Sequence, residues 1–187
     1  MSKIKLYIYI FNIYILFFII FLTITKINAT EILIRNNDNL LNLNDIIFKN
    51  QIDNKLTLNF IDHYYDMTKF PNCLDIKSLT DTSIIGNSNG TVFDFKNDKM
   101  GYLKITHDGN GKAIVIKNII FKNYYNKGFI RTKNEISLIS FIALSDNFSF
   151  AISNCTFQNS YNNIIYLDIT TSISTLVNPI IIENCNF

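Results

Sequence analysis

The chain contains little cysteine, histidine and arginine for its 187 residues. Three cysteines are too few for a disulfide scaffold, and because their number is odd, at most one pair can form within the chain. The two histidines, His63 and His107, are far apart in the sequence, and the chain contains no Cys-x-x-Cys pair. This isolation predicts solvated loop residues rather than metal ligands. We therefore expect no metal and no cofactor, in a chain too apolar to be disordered.

The segment from Met1 to Ala29 has the layout of a secretory signal. Lys3 and Lys5 precede an almost unbroken apolar run at 6–24, and Ala29 is a small residue at a plausible cleavage point. The run also approaches the roughly 20 residues that span a bilayer, so an uncleaved membrane anchor is the alternative. Because the lysines lie before the run, either alternative places the domain at 30–187 outside the cell. The sequence predicts a secreted or cell-surface domain.

Loss of the leader would change the formal charge from +2 to −1, because it removes three lysines and no acid. This near balance excludes the basic footprint of a nucleic-acid-binding protein. Three Asn-x-Ser/Thr sequons begin at Asn89, Asn147 and Asn154. We expect glycans at Asn89 and Asn147, which lie in predicted loops, and none at Asn154, whose amide belongs to the repeat described next.

The motif Ile-x-Asn-x-x-Phe occurs three times in the second half of the chain, beginning at Ile116, Ile152 and Ile182. Its apolar residues alternate with a period near two, which predicts short strands, and its asparagine predicts a bend. Stacking the copies in register aligns identical side chains at strand spacing. The predicted ladder has inward columns and an amide column: Ile116, Ile152 and Ile182; Ile119, Cys155 and Cys185; Phe121, Phe157 and Phe187; and Asn118, Asn154 and Asn184.

These motifs resemble the right-handed parallel β-helix proteins of the pectin-lyase-like superfamily, in particular non-catalytic surface members with Asn-x-x-Phe-x-Asn repeats. The resemblance implies an all-β fold of about four to five coils. It also implies a short N-terminal helix that covers the open end of the solenoid. Asp38 is the predicted cap of that helix, which would present Leu40, Leu41, Leu43, Ile46 and Ile47.

The rest of the first half fits earlier coils of the same solenoid. Strands are predicted at 31–34 and 55–61, and Gly86 is expected to permit a tight corner. Because Phe187 falls partway through the third motif, we expect the domain at 30–187 to be a truncated piece, or another subunit to complete it. The column shared by Ile119, Cys155 and Cys185 favours core packing over a disulfide.

Many members of the superfamily cleave polygalacturonate, but this sequence lacks the residues that the resemblance requires for such chemistry. Its lyases use an arginine base near acidic calcium ligands, whereas this chain has only Arg35 and Arg131 and no acidic cluster at matching positions. The hydrolase motifs are missing, and spacing gives no reason to bring Asp62 or Asp66 close to Asp168. The sequence predicts no catalytic residues.

The predicted function is non-catalytic: adhesion, or binding of polymeric glycans, by an extracellular or cell-surface repeat protein. A divergent polysaccharide-degrading enzyme is the alternative, and a surface-tethered structural protein is a third possibility. The expected partner is a polymeric carbohydrate or another cell-surface protein, with no nucleic acid and a membrane only through an uncleaved leader. Exposed rings at Tyr124, Tyr125 and Tyr161 could stack on sugars, although they could equally decorate the repeat.

Overall fold

The computed structural model describes residues 13–15, 29–36, 42–50, 55–69, 74–97, 102–108, 112–125, 137–145, 148–160, 163–169 and 180–187. Nearly all of the predicted leader lies outside these ranges. The following residues also lie outside them: Asp38, Leu40, Leu41, Cys73, Arg131, Asn147 and Tyr161. Among the described residues, no helix combines the length and the apolar character that crossing a membrane requires.

Short strands dominate the described residues. In chain order they are β1 (Ala29–Ile34), β2 (Lys55–Phe60), β3 (Tyr64–Asp66), β4 (Leu74–Ser78), β5 (Asp81–Ile85), β6 (Thr91–Asp94), β7 (Leu103–His107), β8 (Ala113–Lys117), β9 (Ile119–Lys122), β10 (Ile139–Ala143), β11 (Ser149–Ser153), β12 (Thr156–Gln158), β13 (Ile165–Ile169) and β14 (Ile180–Glu183). A helix, α1 (Leu43–Asn50), follows β1, and a short 3₁₀ helix (Met67–Lys69) follows β3.

The strands form three sheets in which the paired strands are parallel. Sheet A has the order β1-β2-β5-β8-β11-β14, sheet B the order β3-β6-β9-β12, and sheet C the order β4-β7-β10-β13. The chain visits A, B and C in turn, and β2 to β13 complete about four such turns. This stacking confirms the predicted fold class, a right-handed parallel β-helix.

The strand register matches the spacing of the sequence motif. Ile116 pairs with Ile152, and Ile152 pairs with Ile182, so each copy of the motif lies directly on the previous one. The same inward column begins in earlier coils, where Leu58 pairs with Ile84 and Ile84 pairs with Ile116. Because the side-chain period of a strand is two, this register keeps each apolar set on the interior face through every coil.

Sheet B supplies an aromatic column to the core. Its members are stacked rung upon rung: Tyr65, Phe93, Phe121, Phe157 and Phe187. The rings of Phe121 and Phe157 are nearly parallel, with centroids 5.1 Å apart and an interplanar angle of 7°. Sheets A and C face this column with mostly aliphatic side chains, so the core is continuous along the solenoid axis.

The C-terminal end of this column is less buried than the motif predicts. Ile182 is 45% exposed and Phe187 is 64% exposed, although the motif places both inside. Each contacts the preceding coil, Ile182 through its pairing with Ile152 and Phe187 through its stacking on Phe157. None of the described residues covers the opposite face of either side chain, and this explains their exposure.

The helix α1 packs against β4, the first strand of sheet C. Leu43 and Ile47, one helical turn apart, are buried in the common core, whereas Ile46 is only half-buried. The helix therefore lies where an additional strand would otherwise continue sheet C.

Left-handed asparagines form the corners between sheets. Asn118, Asn154 and Asn184 have φ angles of 59°, 52° and 52° at the corner from sheet A to sheet B. Asn123 and Asn159 adopt φ angles of 56° and 49° at the next corner. Asparagine tolerates this conformation better than other residues with a Cβ atom. The left-handed conformation of the corner therefore explains why the motif contains asparagine.

Gly86 stands at the corner between β5 and β6 and is needed there because it has no side chain. It is not among the described residues with positive φ, where the only glycine is Gly90 at 90°. A Cβ atom on Gly86 would collide with the carbonyl oxygen of Asn118 and lie 2.8 Å from Cβ of Thr91. Gly86 is therefore needed because two coils approach each other closely at this point.

Two predicted surface residues are buried instead. His107, expected in a solvated loop, is the last residue of β7, is fully buried and stacks against Phe141 at 6.2 Å. Tyr124, expected to be exposed, is fully buried and packs edge-on against Phe95 at 5.7 Å. The prediction for His107 was wrong because β7 extends to this residue, which continues the inward alternation of Leu103 and Ile105. The prediction for Tyr124 was wrong because the chain direction changes at Asn123, and a two-residue alternation cannot be extended through a corner.

Candidate binding face on sheet B

The outer surface of sheet B carries two rows of side chains that run along the solenoid axis. We call this surface the sheet B face. One row contains Tyr64, Val92, Ile120 and Thr156, and the other contains Asp66, Asp94, Lys122 and Gln158. Neighbouring members of a row lie on successive strands, about 4.8 Å apart. The face therefore combines a polar row with a mostly apolar row that begins at an aromatic ring and ends at a threonine.

Asp94 is the centre of a hydrogen-bond network on this face. Its Oδ1 accepts hydrogen bonds from the Lys96 backbone N–H at 2.9 Å and from Asn123 Nδ2 at 2.9 Å, and its Oδ2 accepts one from the Tyr64 hydroxyl at 3.1 Å. Partial burial alone would raise the pKa of Asp94, but these hydrogen bonds outweigh it and hold the pKa below its ordinary value. Asp94 is thus ionised and fixed in orientation.

Asp66 lies one strand away and is paired with Lys96, with Nζ 2.5 Å from Oδ2. Partial burial raises the pKa of Asp66, but hydrogen bonds from Lys96 and Thr68 outweigh it and leave the pKa below its ordinary value. The hydrogen bond to Asp66 in turn raises the pKa of Lys96. Two carboxylates on adjacent strands are therefore both charged. Lys96 contacts Asp66 through its ammonium group and Asp94 through its backbone N–H.

An amide ladder extends the polar row along the sheet B to sheet C corner. Asn159 Nδ2 donates to Asn123 Oδ1 at 3.2 Å, and Asn123 Nδ2 donates to Asp94. The ladder therefore links three successive coils. Because an asparagine amide has two N–H donors and two acceptor lone pairs, each asparagine retains hydrogen-bonding capacity beyond the ladder. A second ladder, Asn154 Nδ2 to Asn118 Oδ1 at 3.4 Å, lies at the opposite edge of the sheet.

Tyr64 supplies an exposed aromatic ring, with 40% of its surface accessible. Partial burial and its hydrogen bond to Asp94 raise the pKa of its hydroxyl, so the phenol is protonated at neutral pH. Tyr125, a predicted sugar contact, is half-buried and lies two positions after Asn123. The other predicted sugar contact, Tyr161, lies outside the described residues.

The described residues that were weighed for catalysis are not assembled into one site. Asp62 and Asp66 lie at β3, the first strand of sheet B, whereas Asp168 lies in β13, the last strand of sheet C. Arg35 is exposed after β1. Among the described ranges, no group of three or more His, Cys, Asp or Glu side chains could hold a metal ion.

Cys155 and Cys185 occupy successive positions of one column and are both free thiols. The Cys155 thiol donates to the backbone oxygen of Ser153 at 3.4 Å, and burial raises its pKa to about 12. A thiol with such a pKa is almost entirely protonated at neutral pH and is a poor nucleophile. Cys155 therefore serves the packing of the core.

Two of the sequons lie in described residues. Asn89 is exposed in the turn before β6, and Asn154 is exposed at a corner where its side chain donates to Asn118. Glycosylation at Asn89 and its absence at Asn154 remain predictions.

Several residues of the sheet B face were not identified from the sequence, among them Asp94, Lys96 and Lys122. The signal that could have found them is the register: Asp66 pairs with Asp94, and Asp94 pairs with Lys122 at the same sequence separation. The coils that carry Asp66 and Asp94 lack the asparagine motif, so a search for identical residues does not align them with the coil that carries Lys122.

The described residues thus define a parallel β-helix repeat protein with a polar and aromatic lateral face. No protein-family model matches the chain, and neither a curated protein nor a solved structure matches it. The fold and the face are therefore the basis for the functional proposal.

Proposed function

We propose that this protein is a non-catalytic, extracellular or cell-surface β-helix that binds polymeric glycans along the sheet B face. The observation that carries the proposal is the polar row with its amide ladder, which links Asp94, Asn123 and Asn159 across three coils. A surface whose hydrogen-bonding groups recur at each strand suits a ligand that is itself a repeat. Fold alone does not define function, so the proposal rests on this face.

The chemistry of the face suits sugars. Hydroxyl groups both donate and accept hydrogen bonds, and the face offers carboxylate acceptors, lysine donors and amides that do both. The Tyr64 ring, and Tyr125 beside the ladder, offer flat apolar surfaces for the C–H face of a sugar ring. One sugar residue of an extended glycan advances by a length comparable to the strand spacing, so successive residues could meet successive rungs.

The charges of the face are balanced. Asp66 and Asp94 oppose Lys96 and Lys122, and a close ion pair joins Asp66 to Lys96. Strong selection for a polyanion or a polycation would require a field of one sign. The balance therefore favours a neutral glycan over a charged polymer such as polygalacturonate.

The proposal can be tested by co-sedimentation of the protein with insoluble neutral glycans, for example cellulose and chitin, and by affinity electrophoresis in soluble neutral glucans. We expect retention by at least one neutral polymer. The triple variant Tyr64→Ala, Tyr125→Ala, Gln158→Ala should lose most of that retention, because it removes two rings and one hydrogen-bonding side chain from the face. Tyr166→Ala is the matched control, since Tyr166 is a similarly exposed tyrosine on sheet C.

The alternative of a polysaccharide-degrading enzyme is tested with the same polymers and with polygalacturonate. Release of reducing ends or unsaturated products by the wild-type protein would overturn the non-catalytic part of the proposal. Equal retention of the wild-type protein and the triple variant would show that the sheet B face is not the binding surface.

A further inference from the structure

A second candidate site lies away from the sheet B face, in a groove of about 280 Å³ between α1 and β4. Its volume is near the lower end of ligand pockets, which are about 300–1,000 Å³. The lining residues are Asn44, Asp45, Ile47, Phe48, Asp75 and Lys77. Helix and strand thus form opposite walls of one groove.

The helical wall presents an aromatic ring to solvent. Leu43 and Ile47 hold α1 on the core, and this anchoring directs Asn44 and Phe48, one turn apart, to the side of the helix. Phe48 is 77% exposed, the largest exposed fraction among the large hydrophobic side chains described. Contact of this ring with the apolar face of a ligand would be favourable, because it would remove apolar surface from water.

The strand wall presents polar groups. Asp75 and Lys77 alternate with Ile76 in β4, so both project from its outer face. Asp75 Oδ2 lies 3.7 Å from Lys104 Nζ, whereas Oδ1 is buried and has no hydrogen-bond partner among the described residues. An unsatisfied carboxylate oxygen is costly. The Asp75 side chain is 30% exposed, so its carboxylate can accept a hydrogen bond from a hydroxyl group in the groove.

The formal charges around the groove cancel. Asp45 and Asp75 are opposed by Lys77 in the groove and by Lys104 beside Asp75. The lysines would repel a metal cation, and the two carboxylates would repel an anion. A neutral polar ligand with both donors and acceptors avoids both repulsions.

From this geometry we infer that the groove between α1 and β4 binds a single neutral sugar residue, such as a glycan end or a branch. The apolar face of the sugar stacks on Phe48, while its hydroxyls donate to Asp75 and accept from Lys77. This inference goes beyond the proposed function, because it concerns a different surface and a ligand of one residue rather than a polymer.

The test uses the full chain and saturation-transfer NMR with methyl glycosides of glucose, galactose and mannose. At least one of these probes should receive saturation, mainly at the ring protons of its apolar face. Phe48→Ala should reduce the transfer at least fivefold, and Phe48→Tyr should retain it. Asp75→Asn should reduce it severalfold, because the amide cannot replace both acceptor oxygens.

One control variant tests the location of this site. Tyr166→Ala, on the same sheet as the groove but in its last strand, should leave the transfer unchanged. The inference is overturned if none of the three glycosides receives saturation, or if Phe48→Ala retains the wild-type signal. It is also overturned if galacturonic acid binds and the neutral glycosides do not. Loss of polymer retention with intact glycoside binding would contradict only the proposed function.

Discussion

Two successive coils turn the same corner, from sheet A to sheet B, by different means. In one coil Asn118, in a left-handed conformation, leads directly from β8 into β9. In the preceding coil Gly86 takes the equivalent place, and the segment 87–90 comes between it and β6. Nevertheless Phe93 and Phe121 pair with each other in the next strand. This difference shows that the stack fixes the strands, whereas the length of a corner can vary.

Hydrogen bonds between the coils explain how the longer corner is accommodated. The Thr91 N–H donates to the Asn118 carbonyl at 3.0 Å, so β6 starts in register despite the insertion. The loop itself is closed because the Asn87 N–H donates to Thr91 Oγ1 at 2.9 Å and the Gly90 N–H donates to the Asn87 carbonyl at 2.9 Å. The inserted residues therefore satisfy several of their backbone groups locally.

The largest expected loss of stability follows from a truncation in the aromatic column of sheet B, which begins after these corners. Phe157 is 5% exposed and lies between Phe121 and Phe187, with ring centroids 5.1 and 4.8 Å away. Phe157→Ala should lower the free energy of unfolding by about 3–5 kcal/mol, as for other buried aromatic truncations. Urea denaturation of the purified protein measures this loss, and a value below about 0.5 kcal/mol would mean that the ring is not in the core.

Phe187→Ala is the internal control for that change. Phe187 stacks on the same column but is 64% exposed, so its truncation should cost clearly less than that of Phe157. Equal losses from the two changes would contradict the difference in burial.

The next largest effect is expected at Gly86. Gly86→Ala should destabilise the protein by about 3 kcal/mol, because the added methyl group meets the backbone oxygen of Asn118 rather than a movable side chain. Thermal denaturation followed by circular dichroism is a suitable measurement. If Gly86→Ala were neutral, the two coils could not approach each other as closely as the corner requires.

A smaller effect is expected at the asparagine corners. Asn154→Ala should cost about 1–2 kcal/mol, because alanine is unfavourable in the left-handed conformation. Asn154→Gly should cost less than Asn154→Ala, since glycine accepts this conformation and loses only the amide ladder. A reversed order in denaturation midpoints would show that the amide, and not the backbone conformation, is why asparagine is present.

The smallest expected effect is a pH dependence of the stability that Asp66 on the sheet B face contributes. The pKa of Asp66 lies below its ordinary value, so its contribution to stability is present above about pH 4 and is lost as the pH falls through the folded-state pKa. Asp66→Asn should therefore be less stable than the wild type at neutral pH, and the difference should shrink below about pH 4. A difference that grows on acidification would give the opposite sign and refute the assignment.

The repeat made the fold predictable where its residues recur. Identical side chains at Ile116 and Ile152, and at Phe121 and Phe157, specify both the strand phase and the rung to which each strand belongs. The helix over Leu43 and Ile47 was predictable from its apolar spacing. These features are local patterns, and parallel stacking translates them directly into columns.

The candidate site was less predictable, because it depends on corners. Asn123 recurs as Asn159, in the same way that Asn118 recurs as Asn154. A second bend could therefore have been inferred at Asn123, and this bend would have placed Tyr124 in the interior. The network at Asp94 had no such signal. Its partners come from three coils that share spacing but not residue type, and only the register brings them together.

The proposed glycan-binding face is tested most directly by NMR of the asparagine side-chain amides during titration with the neutral polymer that retains the protein. We predict that the amide signals of Asn123 and Asn159 shift together with increasing glycan. The amide of Asn59 on sheet A, which donates to Glu31, should remain unchanged. Shifts confined to Asn59, or equal shifts on both sheets, would contradict the assignment of glycan binding to sheet B.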